Sequence, residues 1–463
     1  MEVGNTPKSE SYGLKSAILS PGETLAQSVA LIAPTGTPLM AVPLVYALAG
    51  QGCAIAYLIS TITIVLVALN VNQFARISSS PGSLYTYIAE HTHPILGMLS
   101  GWALLIAYVG TAAAVSAGCA NYIDVLLRDL FGLPVFPFGW ALLAVAVSCW
   151  MAYRDVQVSA RLMLYLEGVS ILLILIVAFG IIWQYGWRLD MAQLTLQGVT
   201  ASKLRMGLVM AMFSSVGFES ATSLGSEARD PLKTIPRAVL WSAILAGLFF
   251  FTSAYAEVLG FRGEPQALDK SSAPLHVLAH KAGLPAVIGT LTDVGAVISF
   301  FGCVLACLTA AARVLFLMGR QGALHAVLGE AHETNQTPHR AVLLSALASF
   351  LPAGIMTLLG VGVFEIYGLL GTLATFGFVT AYIMIALAAP FFLKAQDRLT
   401  WQAFAVSGLA VLAMGAALLG SIYPVPPGAY ALLPYIYVVL LFAGLTWSVV
   451  WSARSPILAE ESS

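Results

Sequence analysis

Residues 209–239 read VMAMFSSVGFESATSLGSEARDPLKTIPRAV, an apolar run with Ser214, Ser215, Gly217 and Glu219 at its middle. That placement predicts a membrane-length helix that unwinds near Gly217. Residues 30–50, ALIAPTGTPLMAVPLVYALAG, repeat the theme, because Pro34 and Pro38 bracket Thr35, Gly36 and Thr37. Each proline removes a helix donor, so this run also breaks. Amides and carbonyls freed in hydrocarbon are costly unless they face protein, water or a ligand. One proline or glycine often does no more than kink a membrane helix. Two hydroxyl-rich breaks in separate helices point instead to a binding site between them.

The rest of the chain supplies the membrane context. Of the 463 residues, 59% are hydrophobic and 9% charged, where a soluble domain carries roughly a quarter charged residues. Taking ~20 residues per span, helices are expected at 25–49, 52–75, 95–126, 138–153, 160–185, 204–225, 237–260, 286–317, 341–360, 365–393, 402–422 and 431–452, here spans 1 to 12. The expected fold is therefore all-α, a polytopic membrane protein of about 12 transmembrane helices. The two broken runs are spans 1 and 6, corresponding places in two groups of five, which is the pattern of a five-plus-five inverted repeat with two extra helices.

Orientation follows from charge. Fourteen of the 21 Lys and Arg residues fall in segments assigned to one side together with both termini, which puts that side in the cytoplasm. The expected organisation is a cytoplasmic tail at 1–24, one transmembrane domain at 25–452 and a cytoplasmic tail at 453–463, in a cell membrane. Six tryptophans, among them Trp102, Trp183 and Trp401, lie near proposed span ends as interface anchors. The formal net charge of −1 gives no footprint for nucleic acid. Five cysteines without a C-x-x-C pair read as small core residues, so neither a metal nor a cofactor is expected.

The stretch GFESATSLGSEARDPLKTIPRAV at 217–239 closely resembles span 6 and the following loop of amino acid/polyamine/organocation permeases. SPGSLYTYIAEHTHPILGMLSGW at 80–102 is similar to that family's approach to span 3, and RVLFLMGRQGALHAVLGEAHETNQTPHRA at 313–341 to its loop after span 8. The sequence departs from the family where many members carry a Gly-Ser/Ala-Gly triplet in span 1: here stand Gly36, Thr37 and Pro38. The resemblance implies a secondary transporter working by alternating access. A substrate carboxylate would meet Thr35, Gly36 and Thr37, and its ammonium the carbonyls of span 6 around Ser214, Ser215, Val216 and Gly217. It further implies Phe213 as an aromatic gate and Tyr108 as a pocket wall, although an aromatic in a membrane helix is usually packing. Half-helix ends offer both polarities without a buried charged side chain, which suits a zwitterion. The expected partners are a small-molecule substrate, an amino acid or related amine, and the lipid bilayer.

Ionisable groups at depth need a reason. Glu167 lies about two turns into span 5 and is the first candidate for a proton carrier, with Asp293 next; the alternative for Glu167 is a glutamate that ties helices together. Glu219 is read as a cap on the second half of span 6. Glu257 and Glu365, near span ends, are expected to be solvated. Sodium coupling would want hydroxyls on span 8 facing span 1, but residues 300–308 read FFGCVLACL, flanked by Ser299 and Thr309, so proton coupling or exchange is expected. A polyamine or organic-cation transporter is the alternative, and a non-transporting sensor with the same fold a further one. An enzyme would want a nucleophile or metal cluster within the spans, and the seven histidines lie mostly in loops.

Overall fold

The computed structural model describes residues 18–80, 82–133, 136–154, 158–426 and 428–453, without the side chains of 158–163. The expectations for most of the two tails, with Lys8, Lys15 and Arg454, and for the Arg161 side chain lie outside the described residues. Among the described residues every regular element is helical, apart from one isolated bridge between Leu19 and Ala228.

The expected spans are present. Span 1 comprises Pro21–Ile32, a π-helical turn at Thr37–Ala41, and Val42–Ala49. Spans 2 to 5 are Cys53–Ala75, Pro94–Phe131, Pro137–Arg154 and Val158–Gln184. Span 6 comprises Ala201–Ser215 and a 3₁₀ segment, Phe218–Leu224. Spans 7 to 12 are Pro231–Gly260, Ala286–Arg320, His339–Leu358, Val363–Ala395, Trp401–Ile422 and Leu433–Ser452. Nine stretches among the described residues are long and apolar enough to cross a membrane. One of them, Pro21–Ala75, holds 55 residues, about 80 Å of helix against a hydrocarbon core of ~30 Å, and contains spans 1 and 2. Spans 4 and 6 stand outside the nine: the 18 residues of span 4, which end in Ala-Tyr-Arg, are less apolar than the rest, and span 6 is cut into pieces of 15 and 7.

Helix starts follow the sequence closely. Pro21, Pro94, Pro137 and Pro231 open spans 1, 3, 4 and 7, where a missing N–H costs nothing. Span 1 adds a capping box, in which Ser20 N donates to Glu23 Oε2 at 2.7 Å and Glu23 N to Ser20 Oγ at 3.4 Å. Span 3 runs five residues beyond its expected end and stops at Gly132, whose φ of 64° lets its N–H return to Arg128 O.

Packing between spans nearly repeats itself when each of spans 1 to 5 is exchanged for the one five places on. Span 3 meets 4 as 8 meets 9, and 3 meets 9 as 8 meets 4. Spans 1 and 7 pair as 6 and 2 do, 1 and 5 as 6 and 10, 5 and 7 as 10 and 2, and 3 and 10 as 8 and 5. Each of spans 1 to 4 also packs on its own counterpart. Because each group holds an odd number of spans, the second enters the membrane from the opposite side, so the repeat is inverted. Spans 11 and 12 lie outside this relation, span 11 against 2, 6 and 10 and span 12 against 3 and 10.

Candidate functional site

The break in span 1 begins at Ala33, which takes the left-handed conformation at φ 50° and ends the first half-helix. Pro34 has no N–H. The next two donors are committed locally: Thr35 N donates to Glu167 Oε1 at 2.8 Å and Gly36 N to Ala33 O at 3.0 Å. Beyond the π turn, Pro43 has no N–H to give the Leu39 carbonyl, and Tyr122 of span 3 supplies a hydroxyl instead at 2.9 Å.

Glu167 is buried and joins three spans. Its Oε1 also accepts from Thr35 Oγ1 at 2.7 Å and from Ser299 Oγ of span 8 at 3.0 Å. Oε2 has no partner among the described residues. Four residues beyond Ser299, Cys303 donates its thiol to Leu31 O, at the end of the first half-helix, at 3.0 Å.

Span 6 opens at Val216, extended at φ −75° and ψ 164°, and Gly217, at φ 90°. Leu31 of span 1 occupies the space a Cβ on Gly217 would need, so glycine is required for both conformation and contact. The two breaks are stitched directly together. Ser28 Oγ donates to Phe218 O at 2.6 Å and accepts from Ala221 N at 3.2 Å, and Ser220 Oγ donates to Gln27 O at 3.2 Å.

Glu219 is fully buried in the first turn after the break, the end where a carboxylate favours a helix. Tyr108 of span 3 donates to its Oε1 at 2.9 Å and Tyr382 of span 10 to its Oε2 at 2.5 Å. The Tyr382 hydroxyl in turn accepts from Gly217 N at 3.1 Å. The hydroxyls of Ser214 and Ser215 point elsewhere, to Tyr57 Oη and Ser60 Oγ of span 2 at 3.1 and 3.2 Å. Phe213 packs on Tyr367 with ring centroids 5.5 Å apart, and Phe300 lies 6.0 Å from Tyr367 and 6.2 Å from Tyr122. Phe300 presses against Gly36, which could not carry a Cβ without displacing the ring. An aromatic box thus covers the breaks on the side where spans 2 and 6 begin.

On the other side a cavity of about 130 Å³ runs along span 8 from Ser299 to Arg313, about 20 Å of helix. Glu167 and Ser299 lie at its inner end. Arg313 and Glu227 line its far end as a buried ion pair, in which Arg313 Nη2 reaches both oxygens of Glu227 at 2.6 and 2.7 Å. The Glu227 carbonyl accepts from Ile18 N and Leu19 N, and Arg229 N donates to Leu19 O, all at 2.9 Å. The segment before span 1 is therefore tied to the loop after span 6.

Two acids differ from expectation or stand apart. Glu257 is not solvated: it is 1% exposed. Asp293 is equally buried, with Oδ2 3.2 Å from His276 Nδ1. Neither lies at the breaks in the way Glu167 does.

The family described as amino acid permease matches this sequence over residues 24–453. The chain belongs to that family. Among its relatives, the branched-chain amino acid permease BcaP of Bacillus subtilis is 23% identical over 387 residues, covering 79% of this chain and 78% of that protein. The methylthioribose transporter of the same organism is 25% identical over 354 residues, 73% of this chain and 74% of that one. The low-affinity putrescine importer PlaP of Escherichia coli K12 is 24% identical over 307 residues, 64% and 66% of the two chains. This permease is thus a multi-pass membrane transporter of a small molecule and not an enzyme.

The sequence reading of the permease missed the pair that lines the far end of the cavity. Both partners lie in stretches quoted for the family resemblance, Glu227 in GSEARDP and Arg313 at the head of RVLFLMG. The available signal was an acid and a base that flank apolar spans in two such motifs.

Proposed function

We propose that this permease moves an amino acid across a cell membrane by alternating access, coupled to a proton carried on Glu167. Both termini and the cavity beside span 8 face the cytoplasm in this reading, which the bias of basic residues supports. The substrate lies between the breaks of spans 1 and 6, with its carboxylate toward Gly36 and Thr37, its ammonium toward the span 6 carbonyls, and Phe213 over it.

One observation carries the coupling. Three donors converge on a single oxygen of Glu167 while the other has no partner among the described residues and the residue lines the cavity. A proton arriving along the cavity can be held on Oε2 without disturbing the geometry at Oε1. Hydrogen bonds to a charged acceptor contribute about 1.5–3 kcal/mol and neutral ones about 0.5–1.5. Protonation therefore weakens the three bonds by about 3 kcal/mol together, enough to shift the hold of spans 5 and 8 on span 1 by about two orders of magnitude. The thiol of Cys303 in the place of a sodium-binding hydroxyl supports the proton over sodium.

The test is Glu167→Gln in proteoliposomes. Counterflow of substrate is expected to persist and uptake driven by an imposed proton gradient to be lost, because glutamine keeps the shape and exchanges no proton. If the variant still concentrates substrate when only a proton gradient is imposed, Glu167 is structural. A polyamine or other organic cation is the second reading of the substrate, favoured by the buried acids on the opposite side of the breaks.

A further inference from the structure

Spans 4 and 5 are consecutive in the chain and both pack on span 8, yet among the described residues they have no extended contact with one another. In the second group the corresponding spans 9 and 10 do meet. The gap between spans 4 and 5 is a crevice of about 450 Å³. Its walls include Ala144 and Met151 of span 4, Leu166 of span 5, and Val297, Ile298 and Phe301 of span 8, and no charged or hydroxyl side chain among the described residues lines it. Water gains nothing in such a space, and left empty it would deprive its lining of packing partners.

The mouth of the crevice faces the bilayer. Leu143 and Val147, which also line it, continue at helical spacing into Trp150, and all three are exposed. Across the gap Tyr165, Val169 and Leu172 form a second exposed stripe on span 5. Hydrocarbon thus has an open route from the lipid-facing surface inward. At ~30 Å³ for a group the size of a water molecule or a methylene, 450 Å³ takes about 15 methylenes, the content of one phospholipid chain. The crevice follows span 4 from Leu143 to Met151, about 12 Å, and Met151 lies within a turn of Arg154 at the end of the span. A chain can therefore enter it while its headgroup stays at the interface.

Met151 and Ile298 line both this crevice and the polar cavity, so they form the wall between the two. Ile298 precedes Ser299 and Leu166 precedes Glu167, and those two neighbours bond at 3.0 Å. Whatever fills the crevice bears on the joint between spans 5 and 8.

We propose that the crevice binds one acyl chain of a phospholipid of the cytoplasmic leaflet, which completes the packing of span 5 on span 8 behind the Glu167–Ser299 bond. The choice of leaflet rests on the orientation proposed above; the site itself does not.

Full-length permease in vesicles of phosphatidylcholine and phosphatidylglycerol, with a phosphatidylcholine that carries a diazirine in the middle of one chain, tests this. After irradiation and proteolysis, adducts are expected on the crevice residues of spans 4, 5 and 8 at about ten times the yield on Tyr435, Val439 and Phe442, which are exposed on span 12. Ala144→Phe fills the crevice from within and Val147→Phe narrows its mouth. Each is expected to lower the crevice adducts about tenfold and to leave those on span 12 unchanged, which reports that the variant is inserted. Delipidated wild type in detergent should gain thermal stability when phosphatidylcholine is added back, and Ala144→Phe should gain less. Crevice adducts no more frequent than those on span 12, or undiminished in a variant that inserts, overturn the proposal, as does an equal gain in stability. A free fatty acid with the same diazirine that labels the crevice as well as the phospholipid does, at equal mole fraction, overturns the assignment to a phospholipid. No substrate or proton gradient enters these measurements, so they stand or fall apart from proton carriage on Glu167.

Discussion

Glu227→Gln is expected to widen access to the end of the cavity that the Arg313–Glu227 pair lines. In the wild type, Arg313 spends Nε and Nη2 on one carboxylate at 2.6 to 3.2 Å, and its remaining bond is Nη1 to Thr309 O at 3.3 Å. The two side chains are 10% and 8% exposed. Removing one partner of a buried pair costs about 3–5 kcal/mol, because the other charge stays behind uncompensated. Arg313 lines a cavity that water can reach, so relief by hydration lowers the figure to about 2–3 kcal/mol, a factor of about 30 to 150 in the balance between closed and open.

The readout is the labelling rate of a cysteine at Thr309, in a variant whose five cysteines are replaced, by a membrane-impermeant thiol reagent applied from the side of the termini. Labelling should accelerate by that factor in Glu227→Gln and in Arg313→Gln. The double variant should be no faster than the faster single one, because the second substitution removes the stranded group. Labelling unchanged in both single variants, or effects that add in the double, would refute the pair as the element that limits access to the cavity.

Two glycines give further tests. Gly217→Leu combines a left-handed position with a collision against Leu31 and should abolish uptake while the protein still inserts, as read at matched expression; uptake near wild type would remove Gly217 from the site. Gly36→Ala drives a methyl into the buried Phe300 ring and should cost about 1–3 kcal/mol of thermal stability, with Phe300→Leu restoring part of it in the double variant; additive losses would show that the ring is not what the methyl meets.

The spans were legible because a bilayer asks each helix for the same apolar length, and the breaks because proline and glycine mark them whatever surrounds them. Glu167 stood out because a short carboxylate at that depth cannot reach water. Its partners did not, since Thr35 and Ser299 are each 132 residues away along the chain and only the packing of spans 1, 5 and 8 brings them together. For the same reason the bonds of the Ser214 and Ser215 hydroxyls to span 2 could not be read from the sequence. Glu257 was misread for a local reason: it lies three residues from the end of its helix, which suggests water, although its side chain is buried.

The inverted repeat gives the two breaks equivalent braces of unlike chemistry. In each group the fifth span accepts a backbone N–H from the unwound part of the first: Glu167 of span 5 takes it from Thr35, and the Tyr382 hydroxyl of span 10 takes it from Gly217. A phenol ordinarily keeps its proton to about pH 10, whereas a carboxylate in water gives its up near pH 4. Of the two groups that accept the freed N–H, then, the one at span 1 is a carboxylate and the one at span 6 a phenol. The carboxylate is also the one that lines the cavity. In the proposed coupling a proton on Glu167 acts on one half of the repeat, which is the asymmetry a symmetric scaffold needs if protonation is to favour opening on one side of the membrane over the other.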